Sequence, residues 1–376
     1  MYVFSRTLED TLSCLVIVAL REEWYWYFGR GLGPLSAYHD IVYHIPAPRV
    51  RDVLSKRLDY SIALLSDYPV HPVRTQLLGD VDLEAHHLTD YLKSCRNAFF
   101  DKEDITVFYE CVSNGIVRKG LDLFLHFLRS GHTHVDEYLK AIVESGNYSI
   151  QLHQVFKSIS RSSYQYYSSR RSLIPNIFTP VTGIHGMQLS YFSRYYLVNF
   201  LSFKAKDYSS AGEGFVPMSE IDGLLSRLGL SNESRKKLLE DLLEKELIEP
   251  EVRISSNIDS WNFVKVTGFG LYLARCLSMR FTYLEAVMLD TPINDHALHT
   301  RISEIYKENH KPNLEHRLKC VERFVNFLQK QEDLEQMRVQ TAGLADQCPY
   351  VMEQFMELAR EDFKIIRAEI EKSPFV

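Results

Sequence analysis

The chain has 376 residues, 45% of them hydrophobic and 24% charged, with a formal net charge of −6 at pH 7. These values exclude an intrinsically disordered chain and leave room for two or three domains, each with its own core. The negative charge also argues against a surface that is cationic throughout, so any contact with nucleic acid has to come from a local patch.

The six cysteines are scattered along the chain without a CxxC pair, which predicts no zinc site and suits reduced thiols in the cytoplasm. The most apolar run, LSCLVIVAL at residues 12–20, falls short of the roughly 20 residues that cross a bilayer. Acidic residues precede this run, where a signal peptide would carry positive charge. We therefore expect a cytoplasmic protein with no bound metal and no membrane contact.

The N-terminal segment has the pattern of an interrupted α/β domain. Residues 15–20 form a continuous apolar run rich in β-branched side chains, typical of a parallel strand buried on both faces. A second strand is predicted at residues 41–45. Two parallel strands do not make a stable sheet by themselves. Residues 1–46 are therefore interpreted as the remnant of a larger domain.

Helical periodicity follows from residue 47 to residue 156. Apolar residues at three- and four-residue steps predict one helix that opens near Pro48 and others at residues 83–99, 105–113, 117–130 and 135–144. Residues 157–186 are rich in Ser, Tyr, Arg, Pro and Gly, which predicts a connector. We call this segment the arm.

Residues 187–290 have the element order of a winged helix, a helix-turn-helix with a β-hairpin wing. We predict a helix at 188–204, a strand near 214–217, a helix capped by Ser219 and ended by Gly229, and a helix capped by Ser231. Two strands joined by a polar loop come next, and a closing helix from Thr267 through Met288. Residues 291–376 predict further charged helices. The expected fold class is mainly α with a small α/β remnant.

Three segments, in this order, resemble the AAA+ and STAND families of P-loop ATPases. LVIVALREE at residues 15–23 resembles a core strand that ends near the γ-phosphate, with Arg21 at that end. HIPAPRVRDVLSKRLDYSIALL at residues 44–65 resembles the start of the helical lid. SNGIVRKGLDLFLHFL at residues 113–128 resembles the sensor-2 helix, with Arg118 in the place of an arginine that reaches a nucleotide phosphate.

The chain departs from those families in the residues that perform hydrolysis. It contains no GxxxxGK[ST] segment and no acidic Walker B strand. The resemblance therefore implies ATP as a cofactor only together with a P-loop-containing segment or subunit, and no turnover by this chain alone. It further implies that residues 47–156 form a lid, that the chain is the regulatory half of a nucleotide switch in bacterial defence or signalling, and that it forms oligomers.

The arm is the stronger candidate for nucleic acid, because cations interleaved with aromatic rings suit single strands. Its predicted contacts are Lys157, Arg161, Tyr164, Tyr167, Arg170 and Arg171. The alternative is that the arm tyrosines pack between the lid and the winged helix. The second helix of the helix-turn-helix, residues 232–246, has four basic and five acidic residues. Phosphate attraction dominates DNA binding, so this helix is poorly suited to it.

Two further functions stay open at this level. The chain is a DNA-binding module with no nucleotide role, or a scaffold in which the winged helix and the acidic tail hold another protein. Histidine pairs such as His132 and His134 lack a third metal ligand at a useful spacing. We expect His126 to face the core.

Overall fold

In a computed structural model of the chain, the described residues are 11–12, 47–67, 73–74, 82–83, 85–130, 150–162, 164–182, 189–207, 214–251, 258–308 and 312–372. The predicted strands at 15–20 and 41–45, Arg21, and the predicted helix at 135–144 lie outside these ranges. In the described part, helices dominate and strands are few and short. The mainly α fold class is thus confirmed.

Four helices pack on one another after residue 47. They are α1 (Val50–Ser66), α2 (Ala85–Asp101), α3 (Glu103–Ser113) and α4 (Val117–Arg129), with a hairpin of β1 (Val73–Arg74) and β2 (Asp82–Leu83) between the first two. A Cβ at Gly120 would overlap the side chain of Val50, so α4 approaches α1 this closely only with glycine. The hydroxyl of Tyr109 donates to the Gly120 carbonyl at 2.6 Å and fixes α3 to the same point.

The arm begins as a helix and not as a connector, which corrects the prediction. Helix α5 (Leu152–Arg161) packs against α3 and α4 and carries the first five arm residues. Beyond it, Ile174, Ile177 and Phe178 are completely buried. The hydroxyl of Tyr283 donates to the Pro175 carbonyl at 2.9 Å and accepts from the Ile177 amide at 2.8 Å. These contacts hold the middle of the arm in the core.

Residues 189–266 show the connectivity of a winged helix. After the hairpin of β3 (Val181–Thr182) and β4 (Leu189–Ser190) come α6 (Ser193–Lys204), β5 (Val216–Pro217), α7 (Met218–Arg227), α8 (Asn232–Glu244), β6 (Ile248–Pro250) and β7 (Phe263–Val266). The antiparallel sheet has the order β5-β7-β6. Strand β7 thus lies in the middle and carries the register for both neighbours.

The helix ends of this unit follow local sequence rules in most places. Ser231 caps α8, with its hydroxyl oxygen 3.1 Å from the Ser234 amide. Gly229 ends α7 with a φ of 83°, a backbone conformation that side chains disfavour. Ser219 is not a cap as predicted, because α7 already begins at Met218 and places Ser219 inside its first turn.

The predicted closing helix is broken into two. Helix α9 (Gly268–Arg275) ends at Cys276, a 3₁₀ turn spans Leu277–Met279, and α10 (Phe281–Met288) follows. The cause is a distant cap. Asp362 accepts the Phe281 amide at 2.7 Å through one carboxylate oxygen and binds Arg280 at 3.0 Å through the other. A carboxylate at this position satisfies a free N–H of α10 and complements its dipole.

The C-terminal helices are α11 (His296–Glu308), α12 (Leu314–Thr341) and α13 (Met352–Lys372). Helix α12 packs against α10, α11 and α13. Its buried Glu332 accepts the amides of Val351 and Met352, at the start of α13, at 2.7 and 2.6 Å. One turn later, buried Glu335 accepts from the Tyr191 amide and the Ser190 hydroxyl, each at 2.7 Å. We call these two carboxylates and their partners the α12 junction.

Candidate functional site

Two arginines, Arg21 and Arg118, are expected to sense a nucleotide phosphate. Arg21 lies outside the described residues. Arg118 is in the first turn of α4, and its side chain is exposed, with no hydrogen bond or ion pair to the described part of the chain. The neighbouring Lys119 forms an ion pair with Glu246 and so joins α4 to the winged helix.

Three of the residues predicted to bind nucleic acid come together where α5 ends. Arg161, Tyr164 and Arg171 line a pocket of about 290 Å³. Exposed Tyr166, which accompanies them in the sequence, lines it as well. We call this the arm pocket, and its remaining lining residues are His126, Ile159, Ser160, Ser162, Ser168 and Leu173. No acidic side chain is among these described residues, and Arg161 and Arg171 make this part of the lining cationic.

Aromatic rings stand at the mouth of the arm pocket. Tyr164 and Tyr166 are about half exposed, at 47% and 48%. The guanidinium of Arg171 lies over the Tyr164 ring, 4.1 Å from its centroid. Such a cation–π contact holds the long arginine side chain over the pocket and leaves its N–H groups free to donate. The mouth therefore offers both a positive charge and flat apolar surfaces.

Two buried polar atoms of the lining have no hydrogen-bond partner within the described structure. They are Nε of Arg161 and the hydroxyl oxygen of Ser160, a residue that is only 3% exposed. The other end of the Arg161 guanidinium donates through Nη1 to the Gln165 carbonyl at 3.2 Å. Leaving a buried donor unpaired costs about 1–3 kcal/mol. Because both atoms are buried, an acceptor group that enters the pocket would recover this cost once the side chain turns toward it.

The backbone at the end of α5 is held in an uncommon conformation. Ser162 has a φ of 52° and a ψ of −121°, although it has a side chain. Its hydroxyl lies 3.3 Å from Nδ1 of His126. His126 is exposed and borders the pocket, so the expectation that it faces the core is wrong. Strained non-glycine residues of this kind occur often where a ligand is bound.

A cluster of buried charges stands behind the pocket. Glu285 of α10 is 4% exposed, and Arg317 of α12 grips its carboxylate with two N–H groups, one of them at 2.7 Å from Oε2. Lys157 and Arg161, one turn apart on α5, lie in the field of the same carboxylate. Burial and the guanidinium groups of Arg317 and Arg161 lower the pKa of Lys157 to about 8. The described residues thus set three cations against one carboxylate.

The other predicted contacts do not line the arm pocket. Lys157 points to the charge cluster behind it, as just described. Tyr167 is 4% exposed, and its hydroxyl donates to the Ile174 carbonyl at 2.8 Å, so it has no free face on which a base could stack. Arg170 is exposed, and its carbonyl accepts from Lys245 at 3.3 Å.

Helix α8 of the winged helix uses most of its cations internally. Arg235 binds Asn232 and the carbonyl of Asp222, and Lys236 pairs with Asp259 at 3.0 Å. Lys245, just past the helix, donates to carbonyls of the arm. Intramolecular pairing leaves these side chains with little to offer a DNA backbone, in line with the acidic balance of this helix.

Sequence reasoning found the arginines and tyrosines of the pocket because they are close neighbours in the arm. It missed Ser160 and His126. Ser160 matters because its hydroxyl is buried and unpaired in the described structure, and no local pattern in the sequence reveals this. His126 comes from α4 and reaches the pocket only through the packing of α4 on α5.

No group of three or more potential metal ligands occurs in the described ranges. Within those ranges, none of the helices combines the length and apolar character needed to cross a membrane. Comparison with protein-family models, with curated proteins and with solved structures found no match. The resemblance to P-loop ATPases therefore rests on the three sequence segments alone, and function has to be argued from the site.

Proposed function

We propose that this chain binds single-stranded nucleic acid through the arm pocket. The observation that carries the proposal is the pairing of two guanidinium groups, Arg161 and Arg171, with two half-exposed tyrosine rings around a cavity whose described lining includes no carboxylate. Guanidinium groups bind phosphate oxygens with two parallel hydrogen bonds. Exposed tyrosines stack on bases of any sequence.

A single strand fits this geometry better than a duplex does. The bases of a duplex are already stacked on one another, and a ring at a pocket mouth cannot reach their faces. A duplex reader of the winged-helix type would use α8, whose Arg235 and Lys236 are already paired within the chain. The expected ligand is therefore an unpaired strand that lays one nucleotide in the pocket.

The test is fluorescence anisotropy with a labelled 12-nucleotide strand and with the matching duplex, titrated from low to moderate salt. If two phosphates are held, the logarithm of the association constant falls with the logarithm of the salt concentration with a slope of about −1.4. In Arg171→Ala, affinity for the strand falls about tenfold and the slope becomes shallower by about 0.7.

The matched control is Lys237→Ala. Lys237 is exposed on α8 and makes no hydrogen bond or ion pair with the described residues, so this variant removes one charge without touching the arm pocket. We expect it to bind the strand like the unmodified chain. Equal losses in Arg171→Ala and Lys237→Ala would show a diffuse charge effect and refute the proposal. So would the absence of binding at low salt.

A second candidate is the regulatory half of a nucleotide switch, in which ATP sits on a separate P-loop segment and contacts Arg118. What supports it is that Arg118 is exposed and has no partner among the described residues, next to Lys119, whose ion pair with Glu246 ties α4 to the winged helix. A phosphate that moves α4 would then move the winged helix. The setting in defence or signalling, and assembly into oligomers, belong to this candidate.

Photo-crosslinking with an azido analogue of ATP separates the two candidates. For a switch, labelling falls in Arg118→Ala and is retained in Arg171→Ala. If labelling instead falls in Arg171→Ala alone, ATP is acting as a small occupant of the arm pocket. If the chain binds neither ATP nor a strand, docking of another protein becomes the better account of the winged helix and the C-terminal helices.

A further inference from the structure

The arm pocket has a closed floor and an open rim. Ile159 and Ser160 line it from the core side and are 2% and 3% exposed, whereas Tyr164, Tyr166 and Arg171 line it at the surface. Its volume of about 290 Å³ is at the lower end of ligand pockets in general. A strand can therefore enter from the rim with one nucleotide, but it cannot continue through the floor.

Two residues of the pocket lining carry unpaired polar atoms. The Ser160 hydroxyl and Nε of Arg161 are both buried and without a partner in the described structure, while Arg171 donates from the rim. A phosphodiester within a strand offers two free oxygens and one negative charge. A terminal phosphate monoester offers three free oxygens and a charge of about −1.5 to −2 at pH 7. The monoester matches the number of donors better.

The charges around the pocket favour the same ligand. Lys157, Arg161 and Arg317 face the single carboxylate of Glu285, which leaves a surplus of two positive charges among the described groups of this cluster. The carbonyl end of α5 also points toward the pocket and contributes about half a negative charge. That contribution is smaller than the surplus, so a dianion is still attracted more strongly than a monoanion.

We infer that the arm pocket receives the terminal phosphate monoester of a single strand, with Arg161 and Arg171 as its cationic contacts and Ser160 as a donor from the floor. This inference rests on the proposed function and narrows it to a strand end. The bound group is the phosphate, and the first base lies at the rim, where the Tyr166 ring is free to stack on it.

The experiment compares four strands of one 12-nucleotide sequence by fluorescence anisotropy at fixed salt. Two carry the label at the 3′ end and either a phosphate or a hydroxyl at the 5′ end. The other two carry the label at the 5′ end and either a phosphate or a hydroxyl at the 3′ end. We expect one of the phosphorylated strands to bind at least tenfold more tightly than its hydroxyl counterpart, which also identifies the end that enters.

Three variants show where the terminal phosphate binds. Arg171→Gln and Ser160→Ala should each reduce the preference for the phosphorylated strand, because each lowers the affinity of that strand more than the affinity of the hydroxyl strand. Arg161→Gln should abolish the preference. Because Arg161 is partly buried, its thermal melting is checked first, and the two other variants decide the matter if Arg161→Gln does not fold. The preference should also fall several-fold between pH 7.5 and pH 5, as the monoester gains a proton near pH 6.

The possible failures are distinguishable. If all four strands bind equally well and Arg171→Gln weakens them all, the inference is overturned and the proposed function stands. If a preference exists but survives in Arg171→Gln and Ser160→Ala, the terminal phosphate binds elsewhere and the inference is again overturned. If no strand binds at low salt, both the inference and the proposed function are lost.

Discussion

The arm pocket and the α12 junction both bury polar groups, but they treat them in opposite ways. At the α12 junction, Glu332 accepts hydrogen bonds from two backbone amides at 2.6 and 2.7 Å. Glu335 accepts from the Tyr191 amide and the Ser190 hydroxyl, each at 2.7 Å. At the arm pocket, the Ser160 hydroxyl and Nε of Arg161 receive nothing from the described residues. Satisfied groups specify how helices pack, whereas an unsatisfied group of a residue that lines a pocket leaves a place for a ligand atom.

This contrast also shows why the number of charged residues does not by itself identify a binding surface. Helix α8 and the arm hold similar numbers of cations, yet on α8 Arg235 and Lys236 are paired with Asp222 and Asp259, and Lys237 alone has no partner among the described residues. In the arm pocket, the one side-chain contact of Arg171 within the described residues is with an aromatic ring, which leaves its N–H donors available. What distinguishes a binding cation from a structural one is its partner, and partners are set by the tertiary fold.

The largest effect is expected from a variant that removes hydrogen bonds of the α12 junction. In Glu332→Ala, the amides of Val351 and Met352 lose their acceptor inside the core, which should lower the free energy of unfolding by about 3 kcal/mol. Urea denaturation measures the change. Asp333→Ala is the matched control, because the neighbouring carboxylate is exposed and binds only the Tyr350 hydroxyl at 2.6 Å. Equal losses in the two variants would mean that burial of Glu332 matters little.

The second effect is a pH dependence from Glu335. Burial raises the pKa of this carboxyl from its ordinary value of 4.5 to about 7, against the hydrogen bonds from Ser190 and Tyr191. Between these two values the folded chain holds a proton that the unfolded chain has released, so stability falls as the pH rises from 4.5 to 7. The loss is at most about 3.4 kcal/mol, at about 1.36 kcal/mol per pKa unit.

Glu335→Gln removes this titration while keeping an oxygen that accepts from the Tyr191 amide. The difference in melting temperature between the unmodified chain and Glu335→Gln should therefore widen from pH 5 to pH 8, with the variant relatively more stable at the higher pH. Melting curves that stay parallel over this range would show that Glu335 titrates normally.

A smaller effect is expected at the mouth of the arm pocket. Tyr166→Ala removes a half-exposed ring from the mouth of the arm pocket, and stacking on such a ring contributes about 1–3 kcal/mol per base. Affinity for a single strand should fall about fivefold or more, as measured by anisotropy. Tyr166→Phe keeps the ring and loses only a hydroxyl that accepts from Gln165 at 3.2 Å, so it should bind normally. A loss in the Phe variant as large as in the Ala variant would rule out stacking.

The smallest effect is expected on α8. Lys236→Ala breaks an exposed ion pair with Asp259, and such pairs contribute less than about 1 kcal/mol. Its affinity for single or double strands should equal that of the unmodified chain in the same anisotropy titration. A several-fold loss of duplex binding would instead show that α8 contacts DNA, as the arm pocket is proposed to contact a single strand.

Local signals predicted much of this fold. The helix expected at 105–113 is α3 (Glu103–Ser113), and the cap Ser231 and the terminating Gly229 lie where sequence rules place them. These features depend on neighbours within a few residues. The break before α10 escaped prediction because its cause, Asp362, lies 81 residues away from the amide it caps.

The site divides in the same way. Arg161, Tyr164 and Arg171 could be found from the sequence because cations and rings cluster there without an acid. That Tyr167 is buried while Tyr164 and Tyr166 face solvent depends on the packing of Ile174 and Tyr283 around it. The partnership of His126 with the pocket depends on α4. A sequence thus shows where binding chemistry is concentrated, and only the fold shows which of its members are free.

The cap that Asp362 provides to α10 also bears on how the chain is made. Phe281 leaves the ribosome 81 residues ahead of the carboxylate that caps it. At 5–20 residues per second, that interval lasts roughly 4 to 16 s. During this time the nascent α10 lacks its cap, and until Thr341 has emerged it also lacks the complete surface of α12, so its apolar side chains are open to chaperones. We expect chaperones that bind nascent chains to be recruited more strongly by ribosome-bound chains stalled before Asp362 than by chains stalled after α13 has emerged.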